Sequence, residues 1–192
     1  MPSMPVGFWG DESGERYRAA YFADIPGVWR HGDWIRFTER GSCVITGRSD
    51  ATLNRGGVRL GTADFYAVVE ELPEIDDSLV VHLEDPGGGP GELILFLMLH
   101  DGGTLDDDLR TRVVGALRGQ LSPRHVPDTL TAVPAVPRSR TGKKLELPIK
   151  RILQGIEPEK VASRDALADP DALTAYIKEA NSRQGTRSAS AS

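Results

Sequence analysis

The 192 residues suffice for one ordinary domain, or for a small domain with a piece of another. Hydrophobic residues at 39% and charged residues at 27% fit a chain that buries a core, and a net charge of -5 gives no overall bias toward nucleic acid or an anionic membrane. A single cysteine, Cys43, excludes an internal disulfide, no apolar run exceeds Leu93–Leu99, and Met1-Pro2-Ser3-Met4-Pro5 lacks a signal-peptide pattern; a cytoplasmic protein is expected.

Residues 1–49 are rich in aromatic residues and glycine, among them Phe8-Trp9-Gly10, Tyr17, Tyr21-Phe22, Trp29 and Trp34, without a helical period. Apolar and polar residues alternate in Trp34-Ile35-Arg36-Phe37 and Cys43-Val44-Ile45. The turn sequence Glu39-Arg40-Gly41-Ser42 between them predicts a β-hairpin. The zone holds too small an apolar set for a core of its own and reads as the end of a larger, β-rich domain.

Residues 50–155 carry an α+β pattern. Thr62 is placed to cap a helix whose apolar positions Phe65, Val68, Val69 and Leu72 follow the i, i+3, i+4, i+7 rule. Leu79–Leu83 and Leu93–Leu99 read as strands, joined by the turn-rich Glu84-Asp85-Pro86-Gly87-Gly88-Gly89-Pro90-Gly91. The second is apolar on both faces, which predicts a central, covered strand. A helix opened by Thr104 follows, with Asp106, Asp107 and Asp108 where the helix dipole favours negative charge and a core stripe of Leu109, Val113, Leu117 and Leu121. Thr129–Val133 is a further strand. The expected fold is α+β: a short β-sheet flanked by helices, preceded by a β-rich remnant. Leu145–Leu153 is expected to be a short helix despite Pro148, and residues 156–181 a helical extension with a helix at Asp171–Ala180. The Ser/Ala/Arg-rich tail, 182–192, is expected to be disordered.

Three segments are candidates for chemistry. In Pro137-Arg138-Ser139-Arg140-Thr141-Gly142-Lys143-Lys144 a Thr-Gly-Lys tip can push one ammonium outward to neutralise a phosphate or carboxylate oxygen. A solvated basic loop explains the same composition, and a nucleic-acid patch is disfavoured because no aromatic residue interleaves the cluster. Gly56-Gly57, flanked by Arg48 and Arg59, allows backbone to approach a ligand, or is a hairpin turn with two surface arginines. Asp33 is placed either to accept from two ribose hydroxyls or to form a turn.

The order of these motifs is more specific than any one of them. Gly32-Asp33, then Gly47-Arg48-Ser49-Asp50, then Gly57-Val58-Arg59-Leu60, then a distant Arg140-Thr141-Gly142-Lys143 resembles the adenylate-forming superfamily of acyl-CoA synthetases over residues 5–155. The resemblance implies that 1–49 is a remnant of an N-terminal adenylation domain and 50–155 the C-terminal lid domain. It implies that Asp33, Arg48 and Arg59 bind nucleotide, that Asp50 is the hinge, and that Gly57 lines the pantetheine tunnel. Lys143 is implied to contact the carboxylate and α-phosphate during adenylation. For Arg118, a CoA-phosphate contact and a solvated helix face carry equal weight. Val6–Asp11, Pro26–Asp33 and Asp50–Arg59 most resemble the branch that activates acetoacetate; the acetate-activating branch shares the Leu53-Asn54 and Arg59-Leu60-Gly61-Thr62-Ala63 elements. Asp64 stands where Glu is usual, and Lys144 adds a second ammonium.

The implied reaction joins a short acyl carboxylate to CoA at the expense of Mg-bound ATP, giving AMP and pyrophosphate; no metal site is expected in the chain itself. No Gly-rich phosphate loop ending in Lys and Ser/Thr occurs, because Gly87-Gly88-Gly89-Pro90-Gly91 lacks both. The chain is therefore expected to be a C-terminal fragment or half of a split ligase, inactive alone and partnered by an adenylation domain. The alternative is a stand-alone lid-like module that docks on a separate adenylating protein. A lysine acetyltransferase acting at Lys143 is a further expected partner; nucleic acid and membrane are not.

Overall fold

A computed structural model of the chain describes residues 4–48, 53–55 and 57–190. The N-terminal part holds helix α1 (Glu15–Tyr21) and an antiparallel hairpin of β1 (Asp33–Phe37) and β2 (Cys43–Arg48). The hairpin matches the alternation in the sequence. The helix is a departure: its start is fixed by the Asp11 carboxylate, which accepts from the amides of Arg16 (3.2 Å) and Tyr17 (2.8 Å), and none of its residues is buried, so no apolar period announces it. Phe8, Tyr17, Tyr21 and Trp29 pack through edge-on and tilted ring contacts at centroid distances of 5.3–5.7 Å. Much of the remaining apolar surface is open, including Trp9, Ile25, Val28, Phe37 and Ile45.

A short hairpin of β3 (Leu53–Arg55) and β4 (Val58–Leu60) leads into α2 (Thr62–Val69). Thr62 is the first helical residue rather than the cap, which falls on Gly61, and Leu72 packs on the core from beyond the helix end. The central sheet consists of β5 (Ile75–Leu83), β6 (Glu92–Leu99) and, after α3 (Asp107–Gln120), β7 (Thr129–Val133). Its order is β5-β6-β7, with β6 antiparallel to β5 and parallel to β7. Asp106, not Thr104, caps α3, its carboxylate accepting from the Leu109 amide at 2.8 Å. Three aspartates in succession hide from sequence alone which one does so.

Successive side chains of a strand point to opposite faces, and β6 divides accordingly. Leu93, Leu95, Leu97 and Leu99 pack with Phe65 and Val69 of α2 and with Leu109, Val113 and Leu117 of α3. Ile94 and Phe96 face the other way, onto Ile149, Ile152 and Leu153 of α4 (Glu146–Leu153) and Tyr176 of α6 (Thr174–Ser190). Two helical layers thus cover a central strand as its sequence predicts. Pro148 is tolerated because it lies in the first turn of α4, where the missing N–H would have no intrahelical partner. Beyond α5 (Pro158–Val161) the chain departs from expectation, since α6 runs through residues 182–190. Arg183 supports that extension by reaching Glu179 one turn back at 2.7 Å and Glu92 of β6 at 2.6 Å. Among the described residues, no helix is long and apolar enough to cross a membrane.

Strand β5 is an edge, and its outward backbone groups are met by side chains. The Ser78 amide donates to the Glu70 carboxylate (3.1 Å), the Ser78 carbonyl accepts from Lys144 Nζ (2.7 Å), and the Val80 amide donates to the Tyr66 hydroxyl (3.4 Å).

Candidate active site

Residues 138–144 form a tight hairpin between the sheet and α4. Arg138 and Lys144 face each other across an antiparallel bridge, the Ser139 amide donates to the Lys143 carbonyl (2.8 Å), and the Gly142 amide to the Ser139 carbonyl (2.8 Å). Gly142 has φ 80°, a conformation that glycine adopts at little steric cost. On the outer side, the Arg140 amide donates to the Ala166 carbonyl at 3.0 Å and the Ala168 amide to the Arg138 carbonyl at 2.9 Å. The first arm is thus bonded to the second on one side and to residues 166–168 on the other.

The two adjacent lysines have opposite surroundings. The side chain of Lys144 is 11% exposed; its Nζ lies 2.5 Å from Glu70, 2.8 Å from Asp77 and 3.6 Å from the centre of the Tyr66 ring. Lys143 is exposed, and among the described residues its side chain makes no ion pair or hydrogen bond. Asp77 also takes Arg138 through Nε (3.1 Å) and Nη2 (2.7 Å). Burial works to raise the Asp77 carboxyl, but hydrogen bonds from Lys144 and Arg138 outweigh it and hold the group below its ordinary range. Burial first, then the Glu146 carboxylate, pushes the Tyr66 phenol well above its usual value. The positive charges of Arg138 and Lys144 are thus matched by Asp77 and Glu70, which leaves Lys143, with the exposed Arg140, as an outward-facing cation of the tip.

The other candidates fall on separate elements. Asp33 and Arg48 are register partners at the open end of the β1–β2 hairpin, so two of the nucleotide candidates are brought together. Asp33 Oδ2 lies 2.6 Å from His31 Nδ1. Gly57 and Arg59 share the β3–β4 hairpin; Gly57 has φ 76°, and among the described residues, its chain neighbours aside, a Cβ there would meet no atom within 4 Å. That hairpin is pinned by Arg55, which sequence reasoning passed over: its guanidinium donates to the Val126 carbonyl (2.5 Å) and to the Asp128 carboxylate (2.6 Å). Asp128 in turn accepts from the Leu93 amide of β6 at 2.7 Å. Arg118 is exposed in the last turn of α3, a position that suits a solvated helix face and a CoA-phosphate contact alike. Asp50, the hinge candidate, and Gly56 lie outside the described residues. Among the described residues no group of three or more His, Cys, Asp or Glu is gathered to hold a metal ion.

The α+β fold, helices with small sheets, matches the C-terminal portion of an acyl-CoA synthetase. No family model matches the chain. The acetoacetyl-CoA synthetase of Caenorhabditis elegans is 40% identical over 179 residues, 93% of this chain and 25% of the relative. The acetoacetyl-coenzyme A synthetase of Rhizobium meliloti is 42% identical over 178 residues, 92% of this chain and 26% of the relative. The solved acetoacetyl-CoA synthetase from Streptomyces lividans superposes with a TM-score of 0.86 at 49% identity, covering 95% of this chain and 27% of that one. Over more than nine tenths of its length the chain is similar to acetoacetyl-CoA synthetases, and it spans about a quarter of the length of the curated relatives it matches.

Proposed function

We propose that the chain supplies the lid, residues 50–155, of an AMP-forming acetoacetate–CoA ligase, and that Lys143 is its adenylation lysine. The carrying observation is the contrast at the loop tip: Lys144 is enclosed by partners, whereas Lys143 is exposed on a hairpin anchored at both arms. Adenylation brings an anionic carboxylate against an anionic triphosphate. An ammonium held at a fixed place offsets that repulsion and orients the oxygens without any proton transfer. In this reading Asp33 and Arg48, opposite each other at a hairpin end, meet the nucleotide with Arg59. Rotation about Asp50 withdraws Lys143 and turns the Gly57 hairpin toward the pantetheine of CoA, with Arg118 at the CoA phosphates. Residues 1–49 belong with the adenylation domain, and the open apolar surface there suits contact with it.

In a ligase that joins this chain to an adenylation domain, Lys143→Ala should slow acetoacetate-dependent ATP–pyrophosphate exchange by on the order of a hundredfold or more. Thiolation of supplied acetoacetyl-adenylate should stay near the parent rate. Equal loss of both half-reactions would overturn the assignment. The chain alone, which lacks a triphosphate-cradling loop, should form no thioester from acetoacetate, ATP, Mg and CoA.

A further inference from the structure

The adjacent lysines pose a problem of register. Both carry the same ammonium on the same flexible stem, and a shift of one position along the hairpin arm exchanges the outward and inward lysine. Within the loop the positive φ of Gly142 favours the observed register, but backbone bonds do not distinguish the two ammonium groups. The side-chain partners do: Lys144 Nζ is enclosed by Glu70, Asp77, the Ser78 carbonyl and the Tyr66 ring, and Arg138, its partner across the bridge, is held by the same Asp77.

We infer that Asp77 is a positioning residue, a clamp across the two arms of the 138–144 hairpin that seats Lys144 and thereby presents Lys143. One carboxylate reaches both arms: Oδ2 accepts from Arg138 Nε and Nη2, and Oδ1 lies 2.8 Å from Lys144 Nζ. Its aim follows from an irregularity in β5. The register with β6 slips between Ile75 and Asp77, and such a bulge redirects side chains; Asp76 turns to His100 (2.9 Å) while Asp77 turns to the loop. Asp77 is half-buried, with 15% of its side chain exposed, so its ion pairs are less screened than those at an open surface. Arg138 also donates through Nη1 to the Gly142 carbonyl at 2.7 Å, which carries the constraint to the residue before Lys143. Tyr66 of α2 and Glu70, which caps that helix, complete the seat, and Tyr66 is itself held by Glu146 at 3.0 Å.

The clamp is testable on this chain without reference to ligase activity. Brief treatment with an amine-reactive ester, followed by peptide mass spectrometry, should label Lys143 much faster than Lys144. Asp77→Asn, which keeps the size but removes the charge, should bring the two rates together while the far-ultraviolet circular dichroism stays unchanged. Unchanged selectivity in Asp77→Asn, or equal labelling in the parent, would overturn the inference. Lys144→Met is the second variant: it fills the seat without the ion pair, and Lys143 labelling should then rise as the arm loosens; no rise would equally count against the clamp.

A functional arm rests on the reading of Lys143 given above. In the joined ligase, Asp77→Asn should lower the kcat of ATP–pyrophosphate exchange by roughly ten- to a hundredfold with a smaller change in the KM for ATP, and should leave thiolation near the parent rate. A merely structural role would depress both half-reactions together. If Lys143→Ala abolishes exchange and Asp77→Asn leaves it intact, the clamp fails while the lysine stands. If Lys143→Ala leaves exchange intact, the functional reading fails, and the labelling experiment still decides on the clamp.

Discussion

Replacing Arg55 by Met isolates the anchor of the β3–β4 hairpin, because Met keeps much of the stem and removes the guanidinium. The Arg55 side chain is 17% exposed, and three acceptors lie within its reach: the Val126 carbonyl at 2.5 Å, Asp128 at 2.6 Å and the Arg124 carbonyl at 3.3 Å. A part-buried carbonyl that loses a charged donor costs about 1.5–3 kcal/mol. The ion pair to Asp128, whose side chain is 41% exposed, adds only about 0.5–1 kcal/mol after screening. The long bond to the exposed Arg124 carbonyl adds little, so Arg55→Met should cost about 3 kcal/mol. For a chain of this size that lowers the Tm by roughly 6–12 °C. Urea titration followed by circular dichroism measures the loss. Hydrogen exchange should locate it, with amides of residues 53–60 losing protection before those of β6. Asp128→Asn should cost far less, since an amide oxygen still accepts from the Leu93 amide. A loss below about 0.5 kcal/mol for Arg55→Met would refute the anchor and leave the hairpin to be held by Leu53 and Leu60 in the core.

Three further outcomes follow from the same geometry. Phe96→Ala should destabilise by about 3–5 kcal/mol, as Phe96 is fully buried in the central strand against Tyr176; calorimetry would check this, and a Tm shift of only a degree or two would show that the core collapses around the gap. Asp77 has its folded carboxyl below the usual range, so its contribution is present above the unfolded value and is lost as pH falls through the folded one. The stability of the parent should thus decline on the acid side more than that of Asp77→Asn, read by urea midpoints between neutral pH and pH of about 3; parallel curves would contradict the ion pairs. Gly57→Ala and Gly57→Leu both carry the cost of a left-handed conformation, about 1–2 kcal/mol, yet among the described residues neither side chain's Cβ meets a non-neighbouring atom within 4 Å. In the joined ligase, thiolation should therefore fall much further with Leu than with Ala, while exchange is spared; equal loss would mean backbone strain rather than a blocked approach.

Local periodicity made most of the fold legible. Two-residue alternation marked β1 and β2, an unbroken apolar run marked β6 as covered on both faces, and the stripe of Leu109, Val113 and Leu117 marked α3. Helix α1 escaped because it is short and buries nothing. The extension of α6 escaped because its support, Arg183 to Glu92, joins residues 91 positions apart. The site divides in the same way. Motif order drew attention to Lys143, but what separates it from Lys144 lies 66 to 74 positions upstream of Lys144, in Asp77, Ser78 and Glu70. Arg55 was missed likewise: its partners follow it by 69 to 73 positions, and an arginine beside two glycines looks like any surface turn.

The side chains that close the edge of β5 include those that seat the basic loop. Lys144, Glu70 and Tyr66 satisfy backbone groups that would otherwise offer a template for a strand from another molecule. Loosening the loop therefore also opens the sheet to intermolecular pairing. Variants that weaken this corner should lose solubility at high concentration along with their control of the lysine, so that self-association reports on the geometry of the tip.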